Sequence, residues 1–293
     1  MKDTGRLPAS PGLLDLDPVV FRQRFPREPF LVRHHLERDE RLGLPSLIRL
    51  AQRLPERNVE YNAGTVDINM YGKETPRTGL SIPETIRRIE ECSSWMVLKN
   101  VEADAEYRAL LHECLEVVRP LSEPLDPGME TEEGFIFISS PGARTPYHSD
   151  PEHNFLLQVR GSKQIHIWDP TDRSVLSEVE IEGQFSGHQR NLTYRAEYEM
   201  REKVFPLSPG LGLHFPVSAP HWVQNGDQVS ISFSITFRTP ATERRGLVYA
   251  GNAMLRKLGM TPTPFGRWPA RDAVVYNAMR VQRRLRRLVR SGK

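Results

Sequence analysis

The chain has 293 residues, 38% of them hydrophobic, which is enough for one large domain with a real core. Its apolar runs, such as Trp95 to Leu98, fall far short of the roughly 18 residues of a membrane helix, so no membrane association is expected; MKDTGRLPASPG lacks the apolar stretch of a secretion signal, which makes a cytoplasmic address the default. Cys92 and Cys114 show no disulfide or zinc-thiolate spacing, and the formal charge of +3 is uneven: residues 280–293 hold six Arg and one Lys without an acid, which leaves −4 for the body.

Asp17-Pro18 reads as an N-cap with proline in the first turn of a short helix ending near Phe25, and PFLVRH (29–34) as a strand. Leu47, Ile48, Leu50, Ala51 and Leu54 have helical spacing, and Ser81-Ile82-Pro83-Glu84 predicts a capped helix reaching Cys92. Trp95 to Leu98 predicts a strand and Tyr107 to Val118 a helix. From Gly134 the pattern changes to short strands punctuated by Gly and Pro: 135–138, 155–159, 163–168, 211–215 and 229–237. After Pro240 helical patterning returns. The division expected is a mixed α/β region at 1–133 packing on a core, an all-β jelly roll or barrel at 134–240, and a helical region at 241–293.

The segment RTPYHSDPEHNFLLQVRGSK (144–163) carries the chemistry. On a strand, residues two apart share a face, so His148 and Asp150 can present an imidazole and a carboxylate to one point. His221, after strand 211–215 and a bend from Pro216 to Pro220, is the leading third ligand. Two His and a carboxylate form a facial triad with open positions, suited to non-haem Fe(II), although a zinc hydrolase is compatible with the same set. Without a third ligand, HxD reads first as a turn of solvated side chains. Lys163 is in phase with Ile165 and Ile167, so an inward Ile face would bury an ammonium that needs an internal acid or a bound carboxylate. In the last strand Val229, Ile231, Phe233, Ile235 and Phe237 share one face, while Ser230, Ser232, Ser234 and Thr236 line either a wet cavity or a solvated sheet face. His166 and His214 read as packing or surface histidines, Trp168 and Trp222 as core or pocket-wall aromatics, and Arg238 as a surface ion pair or a reach toward an anionic substrate.

Thr145-Pro146 before His148-x-Asp150, then Asn154-Phe155, Gln158, Gly161, Lys163 and a later His221 before a terminal strand resemble the JmjC/cupin-like 2-oxoglutarate-dependent oxygenases, in particular the asparaginyl hydroxylase that inhibits hypoxia-inducible factor. The resemblance covers mainly 134–240. It implies a mainly β fold with flanking helices around a double-stranded β-helix, Fe(II) on His148, Asp150 and His221, and 2-oxoglutarate held by Lys163 and Thr145 with Asn154 and Ser234 nearby. It also implies hydroxylation of a peptide or protein side chain with O2, 2-oxoglutarate being decarboxylated to succinate. Hydroxylation of a free amino acid or small metabolite, demethylation of an N-methyl group, and a non-catalytic cupin-like regulator are the competing readings. Ser234 stands where that hydroxylase has an amide, and its cosubstrate-binding Tyr has no placed counterpart.

Val274, Ala278, Val281, Leu285 and Leu288 recur four and three apart, as on a helix that docks on the body or forms a homodimer. Related hydroxylases often dimerise this way. The Arg-rich stretch beside them lacks a nucleic-acid motif, so nucleic acid is not an expected partner.

Overall fold

The structure, a computed structural model, describes residues 12–63, 67–69, 79–187 and 191–291. The first elements are β1 (Leu14–Asp15), α1 (Pro18–Arg24), β2 (Phe30–His34), α2 (Leu44–Arg53), β3 (Val59–Ala63), α3 (Ile82–Arg87), β4 (Ser94–Lys99) and α4 (Ala105–Ser122). The β-rich stretch follows as β5 (Glu130–Ser139), β6 (Arg144–His148), β7 (His153–Arg160), β8 (Lys163–Ile167), α5 (Glu178–Phe185), β9 (Lys203–Leu207), β10 (Leu211–Phe215), β11 (His221–Asn225) and β12 (Ser230–Arg238). Two helices close the chain, α6 (Pro240–Lys257) and α7 (Pro269–Ser291).

Local chemistry starts several of these elements. Asp17 Oδ1 accepts from the Val19 and Val20 amides at 2.8 and 3.2 Å, while Pro18 supplies a preset φ to α1. Ser81 and Glu84 form the expected capping box on α3. That helix stops at Arg87, short of the expected Cys92. The Ile89 carbonyl is taken by the Ser140 hydroxyl instead, which ties the segment to the end of β5.

The strands form two antiparallel sheets, one of eight strands in the order β1-β2-β10-β7-β12-β5-β4-β3 and one of four in the order β6-β11-β8-β9. The N-terminal strands thus extend both ends of the larger sheet. Three packed layers result. On the outer face of the large sheet Ile136, Ile138, Phe155, Leu157, Phe233 and Ile235 meet Phe21, Phe25 and the apolar stripe of α4. Between the sheets Leu156, Leu213 and Phe215 meet Ile165, Ile167 and Val223. Beyond the small sheet, Tyr147, Trp168 and Tyr198 pack toward α5 and α6.

Both faces of β12 are buried. Ser232, Ser234 and Thr236 pair with Gln158, Leu156 and Asn154 of β7, so the hydroxyl row shares the face of Leu156 and looks between the sheets. Its residues are at most 2% exposed, which removes the solvated-face reading.

At the C-terminus, α7 docks on α6 through Val275 and Met279, where a Cβ on Gly251 would lie only 2.4 Å from Val275 Cγ1. This is a different face from the expected seam. Val274, Ala278, Val281 and Leu285 point away from the body, with Val274 70% exposed, so the seam is not an intradomain contact. The Leu288 side chain and residues 1–11 lie outside the described part.

Candidate metal centre

His148 closes β6 and His221 opens β11, and the two face each other in register across the small sheet. Asp150 lies two residues past the end of β6, not on the strand as the spacing suggested. A turn, not strand alternation, aims its carboxylate. That turn is fixed from outside: Ser218 N donates to Asp150 O at 2.7 Å, and Gln184 Nε2 donates to Ser149 O at 2.8 Å. The Ser218 hydroxyl in turn donates to Gln184 Oε1 at 3.1 Å. Ser218 holds φ +62°, an unusual position for a residue with a Cβ and one typical of functional turns.

One ligand atom from each of His148, Asp150 and His221 lies within 4.8 Å of the other two, and among the described residues this is the one such group of three. The two imidazole centroids are 4.1 Å apart, and His221 Nε2 is 3.8 Å from Asp150 Oδ2. His148 Nδ1 lies 2.8 Å from Pro146 O and His221 Nδ1 2.9 Å from Ala219 O. A carbonyl can only accept, so each Nδ1 bears a proton, and a neutral ring would then present its Nε2 lone pair to the shared point. Two imidazoles and a carboxylate are a donor set that fits a divalent metal. Phe215 packs against the His221 ring with centroids 4.7 Å apart and gives the site an apolar wall on that side.

Lys163 opens β8 with its side chain on the face of Ile165 and Ile167, and it is only 5% exposed. Among the described residues no carboxylate pairs with it. Burial alone pulls its pKa down to about 7, because a charged ammonium is poorly solvated there. His221 pairs with Ile167 and Asn225 with Lys163, which puts the lysine four residues along the small sheet from the triad. Four residues of strand span roughly 13 Å.

The remaining expected positions line the same interior or its edge. Asn154 is buried and accepts from Ser234 Oγ at 2.7 Å. Thr145 Oγ1 accepts from Val223 N at 3.0 Å, where β6 carries an extra residue against β11, so its hydroxyl proton is still free to be donated. Gln158 is wholly buried and bonds Ser232. The other histidines are elsewhere: His166 stacks on Trp222 at 3.9 Å and meets Glu202, and His153 meets Asp126 at 2.9 Å. His214 is enclosed beside Phe25 and Phe30, and burial drives its pKa down to about 3. Arg238 sits 3.5 Å from the buried Glu152 and lines a cavity together with Pro151 and Gln184, beside the Asp150 turn. Sequence reasoning missed Gln184 and Ser218. Both act through contacts distant in the chain, and a serine at positive φ leaves no residue-type signal.

The model of a cupin-like domain matches residues 48–243, from within α2 into α6. The chain belongs to the cupin-like domain family. Lysine-specific demethylase 8 of Xenopus tropicalis is 33% identical over 107 residues, covering 33% of this chain and 22% of that protein. Human HSPB1-associated protein 1 is 28% identical over 117 residues, covering 37% of this chain and 24% of that protein. The matched stretch is thus less than a quarter of those relatives' length. Among solved structures, Escherichia coli YcfD is 17% identical with a TM-score of 0.51, covering 92% of this chain and 68% of that one. A second structure of YcfD, a ribosomal oxygenase in complex with cobalt and 2-oxoglutarate, is 16% identical with a TM-score of 0.51 over 92% of this chain and 67% of that one. The chain thus shares the fold of YcfD over 92% of its length, around the cupin-like domain at 48–243. No helix among the described residues is long and apolar enough to cross a membrane.

Proposed function

We propose that the protein is an Fe(II)- and 2-oxoglutarate-dependent dioxygenase that hydroxylates a peptide or protein side chain. The observation that carries this reading is Lys163: an inward amine with no carboxylate paired to it among the described residues, in the same barrel as a two-His, one-carboxylate triad. A zinc hydrolase would leave that cation unexplained. A short diacid accounts for both ends, since one carboxylate can meet Lys163 while the 2-oxo acid end reaches the metal. Cobalt and 2-oxoglutarate in the E. coli ribosomal oxygenase support the same pairing.

In this reading His148, Asp150 and His221 hold the metal, which when loaded with cosubstrate and O2 supplies the oxidising chemistry. The protein's residues do the positioning. The Nδ1–H bonds to Pro146 and Ala219 fix both imidazole tautomers, and the Ser218–Gln184 contacts fix the Asp150 turn. Lys163 and Thr145 hold the distal carboxylate, Asn154 and Ser234 line its path, and the apolar layer of Leu156, Leu213 and Phe215 excludes water. A protein substrate is supported by relatives whose names specify a ribosomal oxygenase and a lysine demethylase.

The decisive experiment adds Fe(II) and 2-oxoglutarate without oxygen and records the metal-to-ligand charge-transfer absorption. Wild type gives the band and His148→Ala does not; with oxygen, mass spectrometry then finds a peptide heavier by one oxygen. A wild type with neither the band nor succinate formation is a non-catalytic cupin-like protein. We further propose a homodimer through the outward seam of α7, because Val281 and Leu285 are 59% and 57% exposed on one helix face. Val281→Glu with Leu285→Glu converts the dimer to monomer in sedimentation; wild type sedimenting as a monomer refutes the assignment.

A further inference from the structure

We propose that Gln158 is a positioning residue for Lys163, and that through it the fold selects a 2-oxo acid with a second carboxylate. This rests on the reading of Lys163 as the partner of the cosubstrate's distal carboxylate. β7 belongs to the large sheet and β8 to the small one, so Gly161 and Ser162 form the corner at which the chain changes sheets. Lys163 is the next residue. Since no side chain among the described residues bonds its ammonium, the corner's geometry decides where that charge stands.

Gln158 grips the corner from below. Its Nε2 donates to Arg160 O at 2.6 Å and Gly161 O at 3.2 Å, and it lies 3.0 Å from Ser230 Oγ. Its Oε1 accepts from Ser232 Oγ at 2.6 Å. The carboxamide therefore ties the two carbonyls of the corner to two hydroxyls of β12, inside a wholly buried space. β7 bulges at this point, with Arg160 opposite Ile231 and Gln158 opposite Ser232, which frees the corner from the ordinary ladder. Gly161 has φ +67°, and a Cβ there would lie 2.5 Å from Val229 O, so the corner is pressed against the start of β12. From the other side Gly226 N donates to Ser162 O at 2.8 Å. Among the described residues, Gln158 is the one side chain that bonds β12 and also both carbonyls ahead of Lys163.

A residue that only fills volume would, when replaced, alter stability or every ligand alike. A positioning residue for Lys163 alters only ligands that reach the ammonium. The test titrates anaerobic Fe(II)-loaded protein with 2-oxoglutarate and with 2-oxopentanoate, which has the same carbon count and no distal carboxylate. Gln158→Leu weakens 2-oxoglutarate on the order of tenfold, as expected for a charge shifted by a fraction of an ångström, and leaves 2-oxopentanoate unchanged. Ser232→Ala, which frees one end of the clamp, shows the same selectivity with a smaller loss and carries the test if Gln158→Leu does not fold. Gln158→Leu combined with Lys163→Met is no weaker than Lys163→Met alone. Equal losses for both acids, or additive effects of the two substitutions, overturn the positioning role. If Lys163→Met itself leaves 2-oxoglutarate binding intact, the reading of Lys163 fails; if it weakens binding while Gln158→Leu and Ser232→Ala do not, only the role of Gln158 fails.

Discussion

β12 is buried on two sides that have nothing chemically in common. Outward, Ile231, Phe233, Ile235 and Phe237 interlock with helices and contribute cohesion; inward, Ser230, Ser232, Ser234 and Thr236 offer hydroxyls, and the first three of these hold Gln158 and Asn154. Phe233 is 0% exposed and so is Ser232. Burial alone therefore does not distinguish the core from the interior of the site, but polarity does. One face of a single strand stabilises the domain; the opposite face carries buried hydroxyls at a cost in stability, which the proposed ligand site would explain.

The strongest test of that separation is on the outer face. Phe233→Ala removes a ring packed in the helix-facing core and should destabilise the protein by about 3–5 kcal/mol, measured by denaturant unfolding. The folded fraction should keep its cosubstrate affinity. A parallel loss of affinity and stability would show that the two faces are mechanically one. On the inner face the expectation is reversed. Lys163→Met should weaken 2-oxoglutarate about 100-fold, about 2.7 kcal/mol, while raising the thermal midpoint of the ligand-free protein. It replaces an unpaired buried ammonium by an apolar chain of similar volume. A lysine whose removal lowers the midpoint and spares binding would belong to the core after all.

The alternation along β12 was readable in the sequence, but which side faced inward was not, since a strand buried on both sides lacks the wet face that orients it. Lys163 was readable because a charge in phase with Ile165 and Ile167 is an exception to the pattern. β9 and β11 were not: Pro206 interrupts the first and HWVQN has little strand signal, yet partners on β8 make both into strands. Pro206 is tolerated because β9 is an edge strand of the small sheet. His148 and Asp150 do lie together, but not by strand alternation: the turn that carries Asp150 is held by Ser218 and Gln184. The seam on α7 was visible as a period, and only the packing of Val275 and Met279 on α6 shows that it is left outward.

The smallest effect expected is also the most direct probe of the polar interior. Burial lowers the Lys163 pKa from 10.5 to about 7, so between these values the unfolded chain binds a proton that the folded, ligand-free protein does not. Stability of the ligand-free protein consequently gains from this group as pH rises from about 7 to 10.5, the penalty of burying the charge being relieved. A bound carboxylate has the opposite preference and restores the ammonium. Above pH 7 2-oxoglutarate binding must then take up a proton, and its affinity should fall about tenfold per pH unit once the free lysine is neutral. Calorimetry at pH 8.5 in two buffers of different ionisation enthalpy measures that uptake, and Lys163→Met should abolish it. Binding without proton uptake would mean that the ammonium is already charged and hydrated in the free protein, and the contrast between a dry outer face and a ligand-ready inner one would lose its main support.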